Sequence, residues 1–151
     1  MESEIVTIEF FKLEPDVTIP TRGSTTAAGW DLRCIEDAKL KHREVTLIRT
    51  GLALAIPDGW EGQLRCRSGL AKKGMMVSNG IGTIDSDYRG EIMILATWVG
   101  PDEEYVINKG ERIAQILIKK VPDVEFKEVT SLEELGNTER GSGGFGSTGI
   151  R

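Results

Sequence analysis

Apolar residues return at every second position along much of this chain, and that period commits it to sheets. In "GLALAIPDGW", Leu52, Leu54 and Ile56 alternate with Ala53 and Ala55, and "PDG" then turns the chain. "EIMILATWVG" is rich in β-preferring residues and closes on "GPDEE". "EYVINKGERIAQILIKKV" reads as two strands joined at "NKGE". In the second of these, Ala114, Ile116 and Ile118 share one face, and Ile113, Gln115 and Leu117 share the other. Both faces are largely apolar, so this strand is expected to be covered on both sides. Many short strands with turn signals between them imply an all-β sandwich, jelly roll or barrel. One stretch departs from the pattern. "RSGLAKKGMM" holds a serine suited to cap a helix and Gly74 placed to end it, which predicts a single short helix.

A chain of 151 residues suits one domain with a real core. Its 39% hydrophobic and 28% charged content is that of an ordinary globular protein. The net charge of -5 argues against a general nucleic-acid or membrane-surface binder, although a basic pocket is compatible with it. Cys34 and Cys66 are too few for a disulfide framework and lack metal-ligand spacing. The lone His42 lies in the polar run "KLKHRE", so a zinc site or a Ser-His-Asp triad is not expected. "MESEIVTIEF" has no apolar run of the signal-peptide kind, and the expected location is the cytoplasm, or the nucleus in a eukaryotic or viral setting.

Four segments hold more Gly, Asp, Arg and Ser than folding requires. In "TTAAGWDLRC", Asp31 is either a strand-entry turn residue or a carboxylate aimed at a hard cation, directly or through water. In "RSGLAKKG", Arg67, Ser68 and the Gly69 N–H fall at a helix start, which favours an anion such as phosphate. Lys72 and Lys73 read as a solvated face, and the Walker A pattern is absent. In "NGIGTIDSDYRGEI", Gly80 and Gly82 permit a tight hairpin. Strict alternation after it sets Asp85 and Asp87 opposite Ser86 and Tyr88 unless the chain bends, and an aspartate here is suited to act as a general base for water. The last segment, "NTERGSGGFGSTGIR", has the composition of a linker, with a boundary near Leu135–Gly136. A linker has no need of Phe145, whereas a lid over a ligand does: glycine N–H groups reach phosphate oxygens and a ring stacks on a base.

Taken in order, "AAGWDL", "RSGLAKKG", "NGIGTIDSDYRGE", "GERIAQILI" and "RGSGGFGSTG" resemble the five motifs of the trimeric dUTP pyrophosphatase (dUTPase) family, from Pro20 to Gly149. The resemblance implies a jelly-roll or β-clip subunit over residues 1–136. It also implies a homotrimer with three shared active sites, and a swapped C-terminal lid over residues 137–151 that reaches a neighbouring subunit's site. It implies hydrolysis of dUTP to dUMP and pyrophosphate with Mg²⁺, by water attack on the α-phosphorus. Such an activity limits uracil incorporation into DNA and supplies dUMP for dTMP synthesis. By motif position, Asp85 would orient and deprotonate the water, Gln115 would bond near the phosphates or the water, and Arg140 would act as an arginine finger. Asp31 would act on Mg²⁺ through its water ligands. Arg67, Ser68 and Gly69 would hold the triphosphate. Asn79, Gly80, Ile81, Gly82, Thr83 and Ile84 would read uracil, largely by backbone groups. Tyr88 would lie against the deoxyribose, and Met93 would line the same pocket. Phe145 would stack on uracil, with Gly144, Gly146, Ser147 and Thr148 around the γ-phosphate.

Two positions depart from the family pattern: Cys66 stands where Pro is usual, and Trp30 where Tyr or Leu is common. Cys66 beside Arg67 opens the question of thiol-sensitive activity. A dCTP deaminase or bifunctional deaminase–dUTPase shares this fold, but "RSGLAKKG" and "GGFGSTG" match the plain dUTPase. A regulatory protein that uses the nucleotide-bound state as a switch is the non-catalytic alternative.

Overall fold

The computed structural model describes residues 5–146 and 149. Ten strands form among the described residues: β1 (Glu9–Lys12), β2 (Trp30–Arg33), β3 (Ala38–Lys41), β4 (Val45–Ala55), β5 (Trp60–Arg65), β6 (Met75–Val77), β7 (Gly82–Ile84), β8 (Glu91–Trp98), β9 (Glu104–Ile107) and β10 (Arg112–Lys120). They make two antiparallel four-stranded sheets, ordered β1-β4-β8-β6 and β2-β10-β5-β7, and a small β3-β9 pair. The fold is all-β, of the jelly-roll or β-clip kind, without a closed barrel.

Alternation explains where the core lies. In β8, Ile92, Ile94, Ala96 and Trp98 are buried while their neighbours are half-buried or exposed. These pack with Ile48, Leu52 and Leu54 of β4 and with Leu32, Leu64, Ala114 and Ile116 of the other sheet in one cluster. As expected, β10 is covered on both sides: Ile113 and Leu117 are buried as well as Ala114 and Ile116. It is also an inner strand of its sheet, hydrogen-bonded to β2 at one edge and β5 at the other.

Pairing departs from sequence order. The strands on either side of "NKGE", β9 and β10, do not pair with each other; β9 joins β3. The turn at Asn79–Gly80 is tight, with the Gly80 N–H donating to the Val77 carbonyl at 2.9 Å and Gly80 at φ 74°. It is not a hairpin, however, because β6 pairs with β8 and β7 with β5, so the turn carries the chain between sheets. The expected helix is α1 (Ser68–Lys73), ended by Gly74 at φ 121°. Arg67, not Ser68, is its cap residue, and no side chain caps it; Ser68 is already in the first turn. A 3₁₀ turn at Leu132–Leu135 is a second helical element, short and exposed.

Candidate active site

Antiparallel register builds the first group of functional side chains. Asp31 of β2 lies opposite Gln115 of β10, which lies opposite Arg65 of β5. Residues directly opposite point to the same face, and strands are about 4.8 Å apart, so these three form a row of polar side chains. The Gln115 amide donates to the Cys66 carbonyl at 3.2 Å. Its carboxamide occupies the space a side chain at residue 29 would need, which is why that position is glycine. The Asp31 carboxylate faces Arg67 Nε at 3.4 Å and Arg112 Nη1 at 3.5 Å, and Arg67 also donates to the Arg112 carbonyl at 3.3 Å. Asp31 is thus a strand residue between two guanidinium groups, not a turn residue.

Beside this group a recess of about 540 Å³ is lined by Arg33, Arg67, Lys73, Lys109 and Arg112, with Gly69 at one side and Glu111 as its only acid. A chain with net charge -5 therefore concentrates cations at one place. Ser68 and Gly69 are exposed at the start of α1. Lys73 is exposed, as expected, and its ammonium reaches the Tyr105 hydroxyl at 3.3 Å and lies over that ring. Burial pushes the Cys66 thiol up from its ordinary pKa, ahead of the lowering influence of Arg67, so the neutral and unreactive form is favoured.

A second group surrounds a cavity of about 280 Å³. Thr83, Ile84, Asp85, Tyr88 and Met93 all line it, together with Glu91. The strand ends at Ile84 and a turn follows, closed by the Tyr88 N–H on the Asp85 carbonyl at 3.1 Å. That bend breaks the alternation the sequence suggested for Asp85 to Tyr88 and puts Asp85 and Tyr88 on one cavity. The Tyr88 hydroxyl donates to the Glu91 carbonyl at 2.8 Å. A side chain at Gly90 would run into the Tyr88 ring and hydroxyl. Asp85 is exposed and enters no salt bridge among the described residues. Asn79, Gly80 and Ile81 are exposed in the preceding turn, and β7 is an edge strand whose outer backbone groups face away from β5.

The two groups do not meet within one chain. Asp85 follows Ile84, which pairs with Gly62, whereas Arg67 lies beyond the far end of β5. At about 3.3 Å per residue, that is roughly 20 Å along the strand. The tail forms a third group. Arg140 Nε donates to the Gly143 carbonyl at 2.6 Å, a contact within the tail itself. Phe145 is fully exposed at φ 51°, and Gly144 and Gly146 flank it. Ser147 and Thr148 lie outside the described residues.

Sequence reasoning missed Arg65, Arg112 and Glu91. Arg112 stands within "GERIAQILI", and Arg65 keeps the period-2 phase of Arg67. Phase and motif membership were the available signals for both. Glu91 closes the motif "NGIGTIDSDYRGE", but nothing in the sequence showed its pairing with Arg49, far away along the chain.

The fold and these groups define a class: an all-β protein with a cationic recess suited to phosphate and, apart from it, a slot lined by Asp85 and Glu91. The family model described as dUTPase matches residues 15–149, and the chain belongs to that family. It is 47% identical over 142 residues to a deoxyuridine 5'-triphosphate nucleotidohydrolase of Hydrogenobaculum sp., covering 93% of this chain and 96% of that one. It is 52% identical over 139 residues to the protein of the same name from Nautilia profundicola, covering 91% and 95%. Among solved structures it resembles the dUTPase of Staphylococcus bacteriophage 80alpha with dUpNHpp, at TM-score 0.85 and 30% identity, covering 95% and 99%. It also resembles a variant dUTPase of the Staphylococcus aureus phage phi11, described with a structural Mg(II) ion, at TM-score 0.76 and 26% identity over 84% and 99%.

Proposed function

We propose that this chain hydrolyses dUTP to dUMP and pyrophosphate, which keeps uracil out of DNA and supplies dUMP. The observation that carries the reading is the slot that collects Asp85, Tyr88 and Met93 beside the edge strand β7. Asp85 takes a proton from water as the oxygen attacks the α-phosphorus; the bond to the bridging oxygen breaks and pyrophosphate leaves. Backbone groups from Asn79 to Ile84 present a fixed donor and acceptor pattern to uracil, which the cytosine amino group mismatches. Tyr88 fills the space a 2′-hydroxyl needs. Arg67, Ser68 and Gly69 hold the phosphates, and Gln115, steadied by the Cys66 carbonyl, bonds near the water.

The donor chemistry around Asp31 fits Mg²⁺. Its one hard carboxylate suits an ion that keeps several waters and takes phosphate oxygens for the rest of its shell, while the guanidinium groups of Arg67 and Arg112 beside it suit the phosphates and not the ion. When bound, Mg²⁺ would neutralise charge on the triphosphate; Asp31 would hold its water ligands.

The separation of roughly 20 Å between Asp85 and Arg67 supports a homotrimer in which each of three sites draws on several copies. Residues 1–136 then serve as the body and residues 137–151 as a lid. The exposed Phe145 supports a lid that stacks on the base of a neighbouring copy's substrate, a contact worth roughly 1–3 kcal/mol. Arg140, Ser147 and Thr148 would meet the γ-phosphate there. No described helix is long and apolar enough to cross a membrane, and a soluble nucleotide substrate favours the cytoplasm or nucleus. Pyrophosphate release from each dNTP and UTP with Mg²⁺ tests the reading. Release confined to dUTP is expected; ammonia from dCTP would replace it with a deaminase.

A further inference from the structure

A break in the β4–β8 ladder lies against the Tyr88 slot. The register runs from Arg49 opposite Met93 to Ala53 opposite Glu91, so β4 advances four residues while β8 goes back two. Such a bulge re-aims the side chains beside it. Its turn is pinned from within: Thr50 Oγ1, buried, donates to the Ile92 carbonyl at 2.5 Å and accepts from the Leu52 N–H at 3.3 Å. Around it, Arg49 grips Glu91 in a fork, with Nε and Nη2 each 3.0 Å from a carboxylate oxygen, and the Gly51 N–H adds a third donor at 3.3 Å. The Glu91 side chain is only 11% exposed, and Glu91 is also the residue whose carbonyl receives the Tyr88 hydroxyl. Met93, on the same cavity, is the ladder partner of Arg49.

We infer that Arg49 is a positioning residue for sugar selectivity: through Glu91 it fixes the point at which the Tyr88 hydroxyl is anchored, and so the clearance above the sugar 2′-carbon. This rests on the reading of Tyr88 as the wall against the deoxyribose. A forked guanidinium–carboxylate pair sets both position and orientation, which a single ammonium does not. Gly90 lets the Tyr88 ring and hydroxyl close over the backbone beside Glu91, where a side chain at residue 90 would collide with them. Arg49 also meets Glu14 at 3.2 Å and Glu36 at 3.7 Å, so it ties the slot's floor to two further loops.

The test compares kcat/KM for dUTP and for UTP in Arg49→Met, Arg49→Lys, Glu91→Gln and Tyr88→Ala. Simple loss of folded enzyme lowers both values together and leaves their ratio alone. The inference expects the dUTP-to-UTP ratio to fall at least tenfold in Arg49→Met, chiefly through a better KM for UTP, and to recover in part in Arg49→Lys. If Arg49→Met does not fold, Glu91→Gln, which keeps the side-chain shape, must lower the ratio in the same direction. Ratios unchanged in both the Arg49 and Glu91 variants, with Tyr88→Ala collapsing the ratio, overturn this inference alone. A ratio unchanged in Tyr88→Ala overturns the sugar-wall reading beneath it.

Discussion

At the scale of single residues, Asp85 and Gly29 separate chemistry from placement. Asp85 lines the slot with its carboxylate exposed, so replacing it by an amide of the same shape changes proton affinity and little else. Asp85→Asn is expected to abolish pyrophosphate release while nucleotide affinity by calorimetry stays near that of the parent; turnover at even a tenth of the parent rate would rule out the base role. Gly29 acts through space alone. Adding a methyl group there forces the Gln115 carboxamide to move, and a displacement of about 1 Å in a catalytic group costs on the order of 10²-fold in rate. Gly29→Ala should therefore lower kcat strongly. Gly23→Ala, where a methyl group meets nothing within 4 Å, should leave kcat unchanged. As candidates, Asp85, Gln115 and Tyr88 were legible because each stands inside a motif whose order is preserved along the chain. The constraint on Gly29 was not, because it comes from a β10 side chain that only folding brings beside it.

At the scale of elements, period and turn chemistry located most strands but not their partners. β8 reads as one apolar run whose buried face the structure selects, while the two-sided burial of β10 follows from local pattern and was readable. The pairing of β9 with β3 and of β7 with β5 was not, since each joins segments from distant parts of the chain, and a turn such as "NKGE" looks the same whether or not its arms pair. The tail is the element whose composition said least and whose placement matters most. Among the described residues, its glycines and Phe145 line neither recess of their own chain, and Arg140 turns back on Gly143. A lid that acts elsewhere should be removable without harm to the body. Deleting residues from Arg140 onward is expected to cut kcat/KM for dUTP by at least tenfold and leave the melting temperature within a degree or two of the parent. Normal hydrolysis by the truncated chain would reduce the tail to a linker.

At the scale of the whole molecule, the distance between groups bears on the assembly. A general base works only within about 2.6–3.2 Å of the proton it takes, directly or through one water. Asp85 and Arg67 of one copy stand roughly 20 Å apart along β5, which favours a site in which they come from different copies. A head-to-tail contact that closes on itself solves this by presenting the slot of one copy to the recess of the next, and it repeats the same site at every interface. Three chains of 16.6 kDa give a ring of about 50 kDa, which sedimentation velocity should find at working concentration. Mixing supplies the sharper test. Asp85→Asn chains and Arg67→Ala chains should each be inactive alone. Co-refolded in equal amounts, they place an intact Asp85 of one chain against an intact Arg67 of another in about a quarter of the sites of a randomly assembled ring. Activity near a quarter of the parent value is the expected outcome. A mixture as inactive as its two components would mean that each site is built within a single chain, and the shared-site arrangement would have to be abandoned.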